Sequence, residues 1–569
     1  MATVSTNLIC NNFGGIRDIN PEFSSEKISA SDLQNVELFS TGLNSGVGIR
    51  TALGNKVLFD NFAEDEVVVD IYETVQLSNK YFIVYTVDGN EGKIYSYSKY
   101  YNTVECIVSG LSPKAQSCAT DFTQGWSDYF VFSNGEDIVY IYSDSDKGML
   151  LTHDTSDAIK LVDPDGRNVK GLGVVAFDNR IWIFDGQVLW HSKQGDCRDF
   201  QTVETESILS AGYIEFVKKI TAIYPYLGSL AVFHKDSSCL VRNDSTTRYL
   251  TTEESPGGCA SFASLVFHGT DLYFYDDTKK GVFSFQQIVN GDKTLSDNIA
   301  LNVQSFLTPI SSTKLDEIRS LSVVTSDRNE VWFLIPISDE ENRTIILIYD
   351  YIRQEWLKRK SQKINTFNMI DGVLYSAGKT INEEYNGSTF GGDFIECNYA
   401  CSAFNLGADN TLKVLYFPPR LTIDSSYTNN FFVEYVRNYD RTKKIKKKEI
   451  KNRTVKNVLY FDVGYWDKSY YMPRRLNSIS KLPSATFKAL EINILTEQEG
   501  QEFCIKNIEF SRIKVKQVWY IFIHLLTNCL IMQKLKNCIT SIKKQLVMMI
   551  LKMLLIEHYS LHFMTKQSW

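Results

Sequence analysis

Seven short hairpin units recur along the middle of the chain, and this repeat constrains the fold more than any other feature. Each unit is an apolar, aromatic-rich strand followed by a turn and a second strand. The first strands begin at residues 81, 129, 181, 230, 272, 331 and 373, a mean spacing of about 49 residues. Several turns contain Asn-Gly or Asp-Gly pairs, such as Asn134-Gly135 and Asp185-Gly186, which supply the positive φ angles of tight hairpins.

Repeats of this length are typical of β-propeller blades, because one blade buries its faces only when neighbours stack around a ring. Aromatic residues, which suit half-buried strands, make up 13% of the chain. We therefore expect a mainly β protein with a six- or seven-bladed β-propeller followed by a β-sandwich-like C-terminal domain. The segment VVVDI (67–71) is the expected strand that closes the ring with the last blade. Two β-sandwich domains are the alternative, but their strands would recur every roughly 8 to 12 residues without the longer period.

The chain divides into four predicted regions. Residues 1–55 are expected to form a lead-in arm with one short helix, because Ser31 and Gln34 match a capping box. The propeller is assigned to residues 56–385. Residues 386–516 hold alternating strands separated by long polar loops and are assigned to the β-sandwich-like domain.

Residues 517–569 form the fourth region and differ in character from the rest, being rich in Ile, Leu, Lys and Met. The stretch 517–533 has 17 residues and no charge, and five of the nine Met residues fall between 532 and 564. Three interpretations stay open: an out-of-frame translation of an adenine- and thymine-rich gene, an amphipathic or membrane-seeking tail, and an ordinary helical hairpin. Because the uncharged stretch has the minimum length of a membrane span and includes His, Thr, Asn and Gln, we expect no membrane partner.

No pattern in the sequence indicates a catalytic, cofactor or metal site, so we expect a protein that is not an enzyme. The Zn-binding spacing H-E-x-x-H and the phosphate-binding loops G-x-x-x-x-G-K-[ST] and G-x-G-x-x-G are absent. The eleven cysteines are odd in number and scattered, with no C-x-x-C pair. They are expected to be reduced, without a disulfide framework or a zinc site. The polar start of the chain indicates no secretory signal.

The charge distribution argues against general nucleic-acid binding. The net charge is −7, but residues 510–569 hold nine Lys or Arg and one acidic residue, which leaves the first 509 residues at −15. A body this acidic has no broad basic surface to neutralise phosphates. The basic run at 441–453 is interpreted as a solvated hairpin, with a phosphate or acidic-partner contact as the alternative.

Five short motifs stand out: Gly-Gly-Ile at 14–16, Ser-Asp-Leu-Gln-Asn-Val at 31–36, Gly-Ile-Arg at 48–50, the blade segment 188–200, and the strand-then-Trp segment 348–359. Together they resemble motifs of the tail hub, nozzle-type or packaged-DNA stabilisation proteins of short-tailed bacteriophages. The residues that carry the resemblance are Gly14, Gly15, Asp32, Leu33, Asn35, Gly48, Arg50, Trp190, Ser192, Gly195, Asp196 and Trp356.

The resemblance implies a structural virion protein of the phage tail, assembled in the host cytoplasm. It implies a homo-oligomer around the tail axis that helps close the portal channel, retains packaged DNA without binding it specifically, and docks portal, adaptor, and fibre or needle proteins. Two alternatives stay open. One is a propeller enzyme that acts on glycans, of depolymerase or sialidase type; the other is a cellular propeller scaffold.

Overall fold

The computed structural model describes residues 6–18, 23, 27–41, 46–74, 81–125, 127–143, 151–153, 161–204, 209–243, 249–285, 297–336, 343–404, 412–415, 417–424, 430–440, 447–451, 477–482, 485–516 and 546–552. These residues form many small antiparallel sheets and very little helix. The protein is mainly β.

The first five strands lie outside the ring and pair with the C-terminal part of the chain. They are β1 (Thr6–Cys10), β2 (Phe13–Ile16), β3 (Ile28–Gln34), β4 (Val36–Ser40) and β5 (Val47–Thr51). The sixth strand, β6 (Asn55–Phe59), crosses into the propeller, where it pairs with the last blade.

Seven sheets in chain order form the blades, and most are four-stranded meanders. The first blade is β7 (Val67–Tyr72), β8 (Tyr81–Val87), β9 (Gly92–Ser98) and β10 (Thr103–Leu111), and the second is β11 (Cys118–Gln124), β12 (Ser127–Ser133), β13 (Ile138–Ser143) and β14 (Leu151–His153). The third is β15 (Leu172–Phe177), β16 (Arg180–Asp185), β17 (Val188–His191) and β18 (Gly212–Glu215). The fourth is β19 (Ile220–Tyr226), β20 (Ser229–His234), β21 (Ser237–Asn243) and β22 (Tyr249–Thr251), to which β23 (Ser255–Pro256) adds.

The last three blades complete the ring. The fifth is β24 (Leu265–His268), β25 (Asp271–Asp276) and β26 (Gly281–Ser284), and the sixth is β27 (Arg319–Val324), β28 (Asn329–Ile335), β29 (Arg343–Asp350) and β30 (Glu355–Gln362). The seventh is β31 (Ile364–Ile370), β32 (Val373–Gly378) and β33 (Ile381–Glu384), completed by β6. The prediction of a six- or seven-bladed propeller is confirmed, with seven blades. The expected closing strand was wrong: VVVDI is β7, the inner strand of the first blade, and residues 55–59 close the ring instead.

The blades hold together through apolar clusters that lie between neighbouring sheets. Such clusters join the first and second blades, the second and third, the third and fourth, the fourth and fifth, and the seventh and first. Polar side chains add links between inner strands: Thr74 Oγ1 donates to Asp121 (2.7 Å), and Asn365 Nδ2 donates to the carbonyl of Val68 (2.9 Å). Each blade hides its faces only against its neighbours, which is why the apolar hairpins recur at near-constant spacing.

Two further sheets form the β-sandwich, which combines N-terminal strands with strands that follow the propeller. A small hairpin, β34 (Thr389–Phe390) and β35 (Asp393–Phe394), precedes it. One sheet holds β2, β3, β36 (Asn398–Cys401), β43 (Leu490–Leu495), β39 (Phe431–Arg437) and β40 (Lys448–Ile450). The other holds β1, β4, β5, β37 (Leu412–Leu415), β38 (Arg420–Asp424), β41 (Asn477–Lys481), β42 (Thr486–Phe487) and the long β44 (Cys504–Lys516). The sandwich that sequence predicts after the propeller is therefore present, with N-terminal strands in both of its sheets.

The short helix expected near Ser31 was wrong. Residues 28–34 and 36–40 are strands, because Ser31 and Gln34 find partners across the sheet instead of at a helix start. Ser31 Oγ donates to the carbonyl of Ala400 (3.2 Å), and Gln34 Nε2 donates to the carbonyl of Glu396 (3.4 Å). The apolar side chains of Ile28, Ala30 and Leu33 are fully buried in the sandwich. Tertiary burial therefore overrides a local capping pattern.

Helix is confined to short segments. Among the described residues, α1 (Gln304–Leu307) is a single turn, and three 3₁₀ turns occur at Phe262–Ser264, Leu301–Val303 and Leu315–Glu317. Residues 546–552 are helical, with exposed apolar side chains. The uncharged stretch 517–533 and most of 441–453 lie outside the described residues. No helix of the described chain has both the length and the apolar character that a membrane crossing needs.

Candidate functional site

The twelve motif residues fall into two groups in the structure. Eight of them lie in or beside the contact between the propeller and the sandwich, which we call the joint. The joint consists of β30 and its blade neighbours on one side and β2, β3 and β4 on the other. The other four residues lie in the third blade, away from the joint.

Gly15 allows the two parts to approach at the joint. A Cβ atom at this position would lie 2.2 Å from the carbonyl oxygen of Trp356, so only glycine fits. The Gly15 N–H donates to Glu355 Oε2 (2.8 Å), and the Lys27 ammonium and Arg17 also pair with Glu355. Trp356 is buried, and its Nε1 donates to the carbonyl of Ile299 (2.8 Å).

Gly14 and Asn35 continue this contact along β30 and β3. Gly14 supplies a carbonyl that accepts a hydrogen bond from the buried Tyr399 hydroxyl (2.9 Å). Asn35 adopts a left-handed φ of 54°. Its N–H donates to the carbonyl of Lys358 (2.9 Å), and its Oδ1 accepts from the N–H of Lys360 (2.8 Å). Asn35 therefore occupies hydrogen-bonding groups on the outer edge of the sixth blade, which would otherwise be an open strand edge.

The remaining motif residues of the joint pack or pair around it. Asp32 accepts from Lys358 Nζ (2.8 Å) at the rim. Leu33 is fully buried in the sandwich. Gly48 lies under the ring of Phe39 and beside the carbonyl of Ile505, where a Cβ atom would come within 2.7 Å.

Arg50 leads into a buried charge network that spans the joint. Its Nε and Nη2 donate to Glu37 Oε2 (3.0 and 2.9 Å), and Arg328 of the sixth blade donates to the same oxygen (3.0 Å). Arg328 also pairs with Glu330 (3.2 Å) and stacks 3.4 Å from the centroid of the Tyr385 ring. Burial would lower the pKa of Arg328, but Tyr385, Glu37 and Glu330 raise it above its ordinary value.

A second buried pair lies beside this network. Arg359 Nη2 donates to Glu384 Oε2 (2.5 Å), with side chains only 3% and 1% exposed. Glu384 Oε1 accepts from Ser376 Oγ (2.6 Å) and Asn55 Nδ2 (3.1 Å), and Arg359 Nη1 donates to the carbonyl of Leu53 (2.9 Å). Both charges are therefore paired and hydrogen-bonded, as burial requires.

Sequence patterns missed these charged residues. Glu37, Glu330, Arg359 and Glu384 stand at strand positions that resemble an ordinary solvated face, and Arg328 lies in the turn before β28. The signal that could have found them is a charge at an inward-facing position of an apolar strand, such as Arg359 in the EWLKRK strand, where inward positions alternate. Without the register of the blade, that position cannot be told from an outward one.

The four motif residues of the third blade fasten that blade internally. Trp190 Nε1 donates to Asp163 Oδ2 (3.2 Å), and Ser192 Oγ accepts from the N–H of Ile181 (3.0 Å). Gly195 adopts a φ of 78°, and Asp196 Oδ1 accepts from the N–H of Arg198 (3.0 Å). This group is local turn and core structure, and the structure does not bring it to the joint.

A cavity of about 760 Å³ opens where the inner strands of the first, sixth and seventh blades begin. We call it the axial mouth. Its wall is apolar at Val67, Val87, Leu334 and Ile335, and basic groups surround it, with Arg319 the most buried of them. A cavity of this size and mixed lining is typical of small-ligand pockets, which span roughly 300–1,000 Å³.

The described residues show neither a cluster of metal ligands nor a buried cysteine in the setting of a reactive thiol. No group of three or more His, Cys, Asp or Glu side chains there could hold a metal ion. The buried thiols lack the electropositive, partly exposed setting of reactive cysteines. Burial raises the pKa of Cys118, Cys259 and Cys397 to about 12.

Comparisons with known proteins supply no family. No family model matches the sequence, and no curated protein matches it. Among solved structures, a catalytically inactive virginiamycin B lyase from Staphylococcus aureus with quinupristin is similar at 11% identity and a TM-score of 0.35, covering 58% of this chain and 98% of that one. A quinoprotein alcohol dehydrogenase-like protein from Bacteroides thetaiotaomicron is similar at 10% identity and a TM-score of 0.32, covering 57% and 70%. Similarity this weak carries no argument about activity.

Proposed function

We propose that this chain is a structural subunit of the tail hub, or nozzle, of a short-tailed bacteriophage. In this role it would assemble around the tail axis, help close the portal channel, retain packaged DNA and dock fibre or needle proteins. The observation that carries the proposal is the joint: Gly15, Asp32, Asn35 and Trp356 make contacts across it, and Arg50 is linked to Arg328 through Glu37. Gly15 and Trp356 lie far apart in sequence, but one contact at the joint brings them together. That contact gives a structural reason for both residues of the phage-like motifs.

The joint suits a subunit that must resist force, because it fixes the orientation of the two parts. A buried ion pair such as Glu37–Arg328 adds little net stability, but breaking it is costly because a charge is left without its partner. Opening the joint would break the pairs that cross it, which join Glu37 to Arg328 and Glu355 to Lys27 and Arg17. We therefore expect propeller and sandwich to move as one rigid body.

The acidic body supports the part of the proposal that concerns DNA. Residues 1–509 carry a net charge of −15, so a ring of such subunits would repel the phosphate backbone from the channel wall. DNA would then be retained by a plug and could slide during ejection. A strongly basic channel wall in an assembled ring would contradict this mechanism.

The decisive experiment is electron microscopy of the full chain, alone and mixed with portal and adaptor proteins of a short-tailed bacteriophage. We expect closed rings with rotational symmetry that attach end-on to the portal–adaptor complex. Sedimentation velocity at about micromolar concentration checks the copy number. A protein that stays monomeric alone and fails to attach to the portal–adaptor complex would contradict the proposal.

The axial mouth is the observation that favours the second candidate, a propeller enzyme that acts on glycans. Glycoside hydrolysis ordinarily needs two carboxylates placed roughly 5–10 Å apart across the scissile bond. Among the acidic residues at the cavity, Asp88 is already held by Lys93 (2.9 Å), and Asp65 and Glu317 are exposed. Release of oligosaccharides from host surface glycans by the purified chain, abolished in a Glu317→Gln variant, would favour this candidate over the tail hub.

A further inference from the structure

Arg319 is a buried cation whose charge no carboxylate neutralises by direct contact. The residue is 7% exposed and begins β27 at the wall of the axial mouth. Its Nη1 donates to the carbonyls of Asp316 (2.6 Å) and Ile318 (3.3 Å), and its Nη2 donates to the carbonyl of Ala115 (3.0 Å). Its Nε has no hydrogen-bond partner among the described residues. Carbonyl dipoles alone are weak compensation for a buried charge.

Asp70 is a carboxylate whose charge interacts with Arg319, but its oxygens accept hydrogen bonds from other residues. Asp70 Oδ1 accepts from Thr366 Oγ1 (2.6 Å), and Asp70 Oδ2 accepts from Ser117 Oγ (3.3 Å). It makes no ion pair with Arg319 in the described structure. Burial raises the pKa of Asp70, and the positive charge of Arg319 only partly opposes this rise. Asp70 therefore leaves the guanidinium incompletely balanced.

Further basic groups surround the same cavity. Lys314 and Lys363 line it, and neither ammonium makes an ion pair with a described residue. Lys114 lines it as well, with its ammonium 3.4 Å from Glu136. Three acidic residues also line the cavity: Asp88 is occupied by Lys93 and by the N–H groups of its own turn, and Asp65 and Glu317 are exposed to solvent, which screens their charges.

Apolar side chains line the same cavity beside these basic groups. Val67, Val87, Leu334, Ile335 and Ile364 face the same space of about 760 Å³. A ligand that satisfies both parts must join an anionic group to an apolar body. Inorganic anions would use only the basic part, and neutral apolar molecules would leave Arg319 unbalanced.

We propose that the axial mouth is a binding site for an oxyanion, carboxylate or phosphate, attached to an apolar group. The oxyanion takes the place beside Arg319, Lys314 and Lys363, and the apolar group lies against Val67, Val87 and Leu334. Guanidinium groups suit this role because their planar fork matches both carboxylate and phosphate. The site is independent of whether the chain is a tail hub.

Calorimetric titration of the full chain with four probes tests the site: phenyl phosphate, benzoate, inorganic phosphate and benzyl alcohol. We expect saturable, salt-weakened binding of one or both aromatic anions, with dissociation constants of about millimolar or below. Inorganic phosphate should bind at least about tenfold more weakly, and benzyl alcohol should not bind measurably. Preference for phenyl phosphate or for benzoate identifies which oxyanion the site takes.

The variant Lys314→Gln/Lys363→Gln removes two charges, and neither side chain has a hydrogen bond or ion pair with a described residue, so we expect the variant to fold. We expect it to raise the dissociation constant of the preferred aromatic anion about tenfold, equivalent to about 1.4 kcal/mol. Lys56→Gln is the matched control, because Lys56 is exposed on β6 and lies outside the cavity; its affinity should equal that of the wild type. Absence of saturable binding to the wild type, or unchanged affinity in the double variant, would overturn the proposal.

Discussion

The joint and the axial mouth both bury arginine side chains, but they differ in what neutralises the charge. At the joint, Arg328 and Arg359 each contact at least one carboxylate, and every such carboxylate has further donors. At the axial mouth, Arg319 contacts only backbone carbonyls. A buried guanidinium paired with a carboxylate indicates a permanent structural contact, whereas one held by backbone carbonyls alone indicates a place for a ligand. The same residue type thus points to assembly in one region and to binding in the other.

Replacing one arginine in each region should give the largest difference in stability between the joint and the axial mouth. Arg359→Met leaves Glu384 buried without its partner, so we expect a loss of about 4 kcal/mol in the free energy of unfolding. Arg319→Met removes a charge that nothing neutralises by contact, so we expect a loss of only about 1 kcal/mol, from the hydrogen bonds to carbonyls. Urea denaturation of both variants measures the difference.

The double variant Arg359→Met/Glu384→Gln is the control for the joint, since it removes both charges together. It should recover part of the stability that Arg359→Met loses. Equal losses in Arg359→Met and Arg319→Met would show that the two regions do not differ in the way argued above.

Gly15→Ala tests whether β2 and β30 are packed too closely at the joint to accept an added methyl group. The added Cβ atom would meet the Trp356 carbonyl oxygen at 2.2 Å, so β2 must move away from β30. We expect a loss of about 3 kcal/mol, typical of overpacking in a rigid contact. Gly372→Ala is the control, because Gly372 has a φ of 72° but open space around its Cβ position, so only the backbone cost applies. A similar loss in both variants would mean that the joint can yield.

The third blade offers an intermediate case, in which a neutral histidine accompanies a buried arginine. Burial, followed by the charge of Arg180, lowers the pKa of His191 to about 3. The unfolded chain takes up a proton on His191 below its ordinary pKa of 6.5, while the folded chain does not. Stability from this group is therefore complete above about pH 6.5 and declines as the pH falls, by up to about 1.4 kcal/mol per pH unit.

We expect the wild type to lose about 2 kcal/mol more than His191→Gln between pH 6.5 and pH 4.5. Guanidinium denaturation at several pH values in that window gives the two slopes. Parallel slopes would show that His191 is protonated in the folded chain, and that Arg180 tolerates a second positive charge beside it.

The repeat in the sequence predicted the propeller, but no feature of the sequence predicted the joint. Apolar hairpins at regular spacing report a local period that any blade must have, so residues 81–376 carried the fold class by themselves. The path of residues 1–55 depends on partners several hundred residues away: Gly15 on Trp356, Asn35 on Lys358, and β1 on β44. Local capping chemistry at Ser31 predicted a helix there, and long-range strand pairing overrode it. Register also decides which charges face inward, and no local pattern contains it.

The smallest expected effect concerns the rim of the joint, where solvent reaches the pair between Lys358 and Asp32. Their charged atoms are 2.8 Å apart, but the Asp32 side chain is 43% exposed. Water and salt screen such a pair, so Lys358→Gln should cost about 0.5 kcal/mol, less than a fifth of the loss expected for Arg359→Met. The backbone of Lys358 keeps its hydrogen bond with Asn35 in this variant, because the carbonyl does not depend on the side chain. A loss above about 2 kcal/mol would mean that water is excluded from the rim as it is from the centre of the joint. The whole joint would then be one buried contact, without a solvent-exposed rim.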